Sequence, residues 1–499
     1  IGVTAITAFP LASLGIASNS IPEQGEMLLV KDKQILVIMT DQQIVAYDIS
    51  NPAKPVKKWT NDLKNNTRIT TARLKDNLIY IVTSTYPDLK SPCPVIPMIR
   101  GDVVISIPCN KIWAPRSVQP ANTIYTVLAI DPVTGMEKNT LTFLGDTNNT
   151  TISMFGDNLY LAYQLPSAQE TVTLDFFKTD LKDLLSSSLR TRIGEILSYN
   201  ISSQSKLTEI TNEVEKENQL GSESDQLKIE TEIKNRMTDY LTRRVRDINQ
   251  TTIIRVSLNS LTIGASTKIP GYLLNQFSMD EYNGNLRVAV TVGEQGNRDG
   301  NKNDIYVLDS KLAIIGSVID LGLTERIYSA RFIGDRGYLV TFRQIDPFYI
   351  LDLSIPSSPK MVGELKIPGY SAYLEPLADN LVLGVGREDR KVKMSLFDVT
   401  DPKNPVEKSK YLLDESWTEV ESNHHAFLRD PKHKVFFIPS GKGGYVVSYD
   451  SDKLGLAATV AVNQVKRALF IEDNLYIVAE NKITVLDEVT WKETKDFRF

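Results

Sequence analysis

Histidine and cysteine are nearly missing: the 499-residue chain holds three of the first and two of the second. So few soft ligands exclude a zinc ribbon or a multi-cysteine metal site. An excess of one charge sign is also lacking, with Lys+Arg 56 against Asp+Glu 61 and a net charge of −5. No basic surplus is left to neutralise a phosphate backbone, which excludes nucleic acid as a partner. Hydrophobic residues at 42% and charged residues at 23% exclude wholesale disorder. The opening stretch, IGVTAITAFPLASLGIAS, is free of charge through Ser18. It sits at the lower limit for a membrane-spanning helix and carries Pro10 in its middle. Three readings stand for this apolar segment, taken as residues 1–24: the remains of a secretory signal, a membrane anchor, or an exposed β-strand. In the last, Ile1, Val3, Ala5 and Ala8 belong to an assembly strand that pairs with a neighbouring subunit.

What is present is a repeat. Asp48-Ile-Ser-Asn-Pro-Ala-Lys-Pro-Val56 returns as Asp352-Leu-Ser-Ile-Pro-Ser-Ser-Pro-Lys360 and as Asp398-Val-Thr-Asp-Pro-Lys-Asn-Pro-Val406, each between short apolar runs. Proline cannot donate to a ladder, and Asp or Ser bonds a turn's backbone, so the phrase marks a connection between strands. A second phrase precedes it: DNLIYIV from Asp76, DNLYLAY from Asp157, DNLVLGV from Asp379 and DNLYIVA from Asp473, with NGNLRVAV from Asn283 as a variant. These read as tight hairpins leading into buried strands. Together the phrases define a unit of four strands, with starts near Gly25, Arg68, Thr150, Asn275, Glu325, Tyr370, Glu421 and Asn463. The expected fold is all-β, a propeller over residues 25–499 with eight four-stranded blades, or seven if the first and last units share one. Between Thr173 and Gln250 the apolar period changes to three and four, which predicts a helical insertion. It is read as a cap on the ring, with a partner-binding hairpin as the second reading.

The stretch from Arg326 to Arg387, followed by MSLFDVTDPKNP and HHAFLRDPKHKVFFIP, resembles the secreted prokaryotic β-propeller domain family, which is distantly similar to WD40 repeats and has no assigned activity. The resemblance covers about residues 68 to 499, and SIPEQGEMLLVKDKQ departs from that family's pattern at the first blade. It implies a propeller and no catalytic residue.

Cys93 and Cys109 flank a proline-rich excursion and are expected to form a disulfide, which places the chain outside the cell or on its surface. Asn65, Asn148, Asn149, Asn200 and Asn249 begin glycosylation sequons. In GEQGNRDGNKNDIY, Asn297, Asp299, Asn301, Asn303 and Asp304 cluster oxygen donors, so this polar hairpin loop is also the one candidate calcium site. No other cofactor is expected. His424 and His425 are placed on a strand, where neighbours face opposite sides, so at most one joins His433. SGKGG at Ser440 reads as a hairpin turn, and Trp113, Trp417 and Trp491 as blade packing. Two functions follow. The first is a non-enzymatic cell-surface protein, a scaffold, an adhesin or an assembly subunit that associates with itself or with other surface proteins, with the N-terminal strand as the means of polymerisation in its donor-strand version. The second is a secreted hydrolase or lyase at the propeller axis, with Asp346, Glu375 or Glu421 as acid and base.

Overall fold

Alternation of burial along the strands sets the architecture. Second and third strands are buried almost throughout, as in Asn285–Val292 and Thr123–Ile130, because both of their faces meet other sheets. Fourth strands such as Val406–Leu413 alternate between exposed and half-buried residues, as an outer edge does. The computed structural model describes residues 3–7, 15–115, 120–293, 300–342, 346–378 and 380–499. Eight sheets, each built on four antiparallel strands, run from Glu26–Leu63 (blade 1) through Thr67–Gly145, Thr151–Pro270, Met279–Leu321, Arg326–Ile367, Tyr370–Leu413 and Leu428–Val460 to Val465–Arg498 (blade 8), and Ile112–Trp113 adds a short parallel pairing to the edge of blade 2. The fold is an eight-bladed propeller. Blades 1 and 8 each complete their own four strands, which rules out the count of seven.

The recurring phrases have local causes. Asp48, Asp352 and Asp398 close the third strand of their blades, and each side chain accepts the backbone N–H two residues on, at 2.9, 3.0 and 2.9 Å. The Asp76-Asn77 pair has φ of 48° and 62°, and Asn283-Gly284 has 50° and 76°, the left-handed pairs that a two-residue hairpin demands. The proline turns then lock neighbouring blades. A Cβ on Gly363 of blade 5 would lie 1.8 Å from the Pro402 carbonyl oxygen of blade 6, so only glycine admits that turn. The hydrophobic core lies at the blade interfaces. Ile35 and Val37 of blade 1 meet Ile79 and Leu128 of blade 2, and Phe348 of blade 5 meets Phe397 of blade 6.

Three additions depart from the repeat. Residues Val95–Ile107 form a hairpin, closed at its base by the Cys93–Cys109 disulfide, that leaves blade 2 and extends the outer edge of blade 1 through Asp62↔Ile99 and Leu63↔Met98. The helical segment joins the second and third strands of blade 3 as α1 (Gln169–Thr179), α2 (Ser187–Ser198), α3 (Ser203–Asn218), α4 (Glu223–Arg243) and α5 (Val245–Ile248). Its own core gathers Phe176, Leu181, Ile193, Ile196, Ile210 and Tyr240. Apolar spacing from Phe177 to Leu197 suggests one helix, but the chain turns between α1 and α2 and buries Leu181 and Leu185 there. Finally, β1 (Val3–Thr7) pairs with β2 (Gly15–Ile21) in a two-stranded sheet that, among the described residues, joins no blade. Ile21 packs on Ile38, Val45 and Tyr47 of blade 1.

Candidate functional site in the axial channel

First strands are innermost: Ser329 Oγ of blade 5 donates to the Ser371 carbonyl of blade 6 at 2.7 Å. The space they enclose is a channel of three successive cavities of about 450, 420 and 430 Å³. The first two share Asn149, Leu274, Ala372 and Glu421 in their walls, and the last two share Ile152, Gln276 and Phe277.

One mouth is aromatic. Tyr328, Phe342 and Tyr370 form a triad with ring centroids 4.9 to 5.5 Å apart. The Arg326 guanidinium lies 4.8 Å over the Tyr328 ring and donates to its hydroxyl at 3.1 Å. Glu421 is held beside them. Arg387 Nε donates to both of its oxygens at 2.8 and 2.9 Å, and the Thr418 N–H adds a third bond at 3.2 Å.

The waist is narrowed by Phe277 of the blade 3–4 connection, whose ring meets Tyr373 of blade 6 at 6.1 Å and His424 of the blade 6–7 connection at 5.1 Å. Gln276 Nε2 lies 3.1 Å from His424 Nε2. At the far end Arg331 stands 4.5 Å over Phe277 and 3.3 Å from Glu375, which also accepts the Tyr373 hydroxyl at 2.7 Å. Arg73 lines this end and donates to the Ala72 carbonyl and to Thr71 Oγ1. Among the described residues no carboxylate lies within 4 Å of Arg73 or Arg326. Glu421, Glu375 and Asp280, which also lines the far end, are each paired with an arginine of their own (Arg387, Arg331 and Arg287), so Arg73 and Arg326 leave the channel an excess of positive charge inside a protein of net −5. Such a cavity attracts an anion.

Burial, then the charges of His425, Arg331 and Arg73, hold the His424 imidazole below its usual range, so it stays neutral near pH 7. The unfolded chain takes up a proton near 6.5 and the folded chain does not. Stability from this group is therefore complete above pH 6.5 and falls as pH drops below that value. His424→Gln should flatten the difference in urea midpoint between pH 7.5 and 5.5. An unchanged slope would show that the imidazole titrates freely.

Of the sequence expectations, Glu421 lines the channel, Glu375 stands behind the lining residues Arg331 and Tyr373, and the Asp346 side chain lies outside the described residues. His424 and His425 are not on a strand: they stand in a 3₁₀ turn, His424–Ala426, where Asn423 Oδ1 accepts the His425 N–H at 3.1 Å. The first strand of blade 7 is cut to Leu428–Asp430, and the residues before it coil into the waist. His433 is elsewhere, at the junction of blades 7 and 8. Gly441-Lys442 forms the expected hairpin turn.

Of the five calcium candidates, Asn301, Asn303 and Asp304 lie among the described residues, and the last two are engaged by protein partners. Asn303 and Asp304 are successive residues of the strand Lys302–Leu308. The Asn303 side chain bonds Thr291 and the Leu321 carbonyl, and Asp304 bonds Arg246 and Tyr306. Asn301 is buried, and Asn297 and Asp299 lie outside the described residues. Among the sequons, Asn65, Asn148 and Asn200 are exposed. The amide nitrogens of Asn149 and Asn249 instead donate to the Leu273 and Gly293 carbonyls at 2.9 and 2.8 Å. Val3 and Ala5 lie in β1, while Ile1 and Ala8 lie outside the described residues. Sequence reasoning missed Arg73, Arg326 and Phe277. Their one signal was position, at the first strand of a unit or just ahead of it.

Residues 14–490 match the family described as a beta propeller domain. An uncharacterized protein of Archaeoglobus fulgidus is 40% identical over 99% of this chain and 77% of its own length. One from Methanocaldococcus jannaschii is 33% identical over 96% and 76%. Among solved structures, apo AztD from Citrobacter koseri is 10% identical with a TM-score of 0.44, covering 93% of this chain and 94% of that one. A eukaryotic initiation factor is 9% identical with a TM-score of 0.47, covering 99% and 93%.

Proposed function

This chain belongs to the beta propeller domain family, and from that premise we propose that it is a non-catalytic binding and assembly subunit of the cell exterior. The observation that carries this reading is the pairing of the channel carboxylates. A hydrolase at the axis would need one of them free to give or take a proton. Glu421 is instead clamped by Arg387, and Glu375 is held between Arg331 and Tyr373. Charge-assisted bonds of this kind hold a carboxylate in place and occupy its lone pairs. The groups left to meet a ligand are Arg326 with its aromatic triad at one mouth and Arg73 at the other end, which suit an anionic group on a surface partner.

Assembly is assigned to the N-terminal hairpin. Among the described residues β1 pairs only with β2, so both outer edges are open, and a two-stranded sheet is marginal by itself. A strand from a second copy would complete it. Placement at the cell exterior rests on the Cys93–Cys109 disulfide. Among the described residues no helix is long and apolar enough to cross a membrane.

The catalytic alternative is tested by incubating the purified chain with panels of glycosidic and peptide substrates. We expect no turnover above the blank, and none that depends on Glu375 or Glu421. Hydrolysis that disappears in Glu421→Gln or Glu375→Gln would overturn the reading.

A further inference from the structure

In blades 1, 3, 5, 6, 7 and 8 the third strand ends in an aspartate or a serine, and in the last five of these the next residue turns inward. Its position is fixed by one backbone bond to the hairpin between the first two strands: Leu258 N–H to Asp157, Leu353 to Asp335, Val399 to Asn380, Tyr449 to Lys434 and Glu488 to Asp473, all at 2.8 or 2.9 Å. Leu258, Leu353, Val399 and Tyr449 are core residues there, between 0 and 8% exposed. In blade 8 the same place is taken by a carboxylate. Glu488 is 2% exposed and neither of its oxygens has a hydrogen-bond donor. Leaving such a group unserved is costly, and no packing need calls for it where leucine or valine fits.

Two groups from blade 7 face it. Asp430 ends that blade's first strand and His433 follows in the hairpin. The nearest donor atoms of Asp430, His433 and Glu488 all lie within 4.8 Å of one another. His433 Nδ1 touches Asp430 Oδ2 and is 3.7 Å from Glu488 Oε2. Bonds of about 2.0–2.2 Å to one ion would set such donors roughly 3–3.5 Å apart, so Asp430 and His433 part slightly while Glu488 closes on them. The other ring nitrogen, Nε2, lies 3.7 Å from Asp473, itself paired with Lys432. Nδ1 shares its proton with Asp430 Oδ2, so an ion entering here displaces that proton, and Asp473 stands on the Nε2 side to receive the N–H of the switched tautomer. Asp430 is oriented by the Lys432 N–H at 2.9 Å. His433 keeps 16% of its side chain exposed, beside Trp491, which gives an ion a way in.

We infer that Asp430, His433 and Glu488 bind one first-row divalent transition ion, which clasps blade 7 to blade 8. Two carboxylate oxygens and one imidazole nitrogen suit zinc or manganese, whereas calcium prefers an all-oxygen shell. The clasp is independent of the axial channel and of the reading proposed for it.

The test uses the full chain, stripped with a chelator and titrated calorimetrically with Zn²⁺ and separately with Mn²⁺. One equivalent of at least one ion should bind, with a rise in melting temperature. Glu488→Leu restores the residue type found at this position in other blades, so it should fold. It should bind at least 100-fold more weakly and lose the thermal shift, as should His433→Asn. Asp414→Asn, at an exposed site, should behave as the parent. No binding of either ion to the parent, or equal binding by Glu488→Leu, would overturn the inference.

Discussion

Replacing Arg246 by Met should destabilise the protein by about 3–5 kcal/mol, the usual result of stranding a buried charge. Asp304 is fully buried in blade 4, and Arg246 meets it with two bonds of 2.8 and 3.0 Å from α5, the last turn of the helical segment. A further bond joins Arg246 to Asp320 at 2.8 Å. The variant leaves the Asp304 carboxylate with Tyr306 and the Asp320 N–H but without a counter-charge. Adding Asp304→Asn removes the stranded charge and should recover more than half of the loss. Urea unfolding of the parent, the single and the double variant decides the matter. A loss under about 1 kcal/mol in Arg246→Met would mean that the helical segment is not anchored there.

The second large effect tests where the core lies. Phe348 and Phe397 are both fully buried and stack with centroids 4.4 Å apart across the interface of blades 5 and 6. Phe348→Ala should cost about 3–5 kcal/mol through lost transfer energy and the cavity left behind. Phe397→Ala should cost a similar amount. The double variant should cost less than the sum by about 1 kcal/mol, the share that belongs to the stacked pair. Strict additivity would place the two rings in separate cores and contradict the blade-interface account.

The propeller was legible because its repeat is made of residues with fixed local duties. Asp48, Asp352 and Asp398 each close the same turn on their own backbone, and paired left-handed residues close the hairpins. Such short-range chemistry survives in the sequence. Contacts across the ring do not. Phe277, Tyr373 and His424 meet at the waist from connections and blades far apart in the chain, and no spacing marks their approach. The histidine pair was misplaced for a local reason: Asn423 caps a 3₁₀ turn where β-like neighbours suggested a strand. In the oxygen-rich loop, composition cannot separate donors that face a common ion from donors already spent. Asp304 is spent on Arg246. Arg243 closes α4 as the solvated helix end that the sequence suggests, while Arg244 turns to Asp175 and Asp247 and Arg246 to Asp304 and Asp320. Glu488 could have been found, since it breaks an apolar position of the repeat. Its partners could not, because only the docking of blade 7 on blade 8 brings Asp430 and His433 to it.

Assembly through the N-terminal hairpin is the part of the functional account most open to a direct test. Electron microscopy should compare native protein sheared from cells with recombinant protein lacking Ile1 to Ser18. The account predicts filaments or lattices in the first sample and dispersed single propellers in the second. Polymers of equal length without those residues, or dispersed particles in both samples, would contradict it.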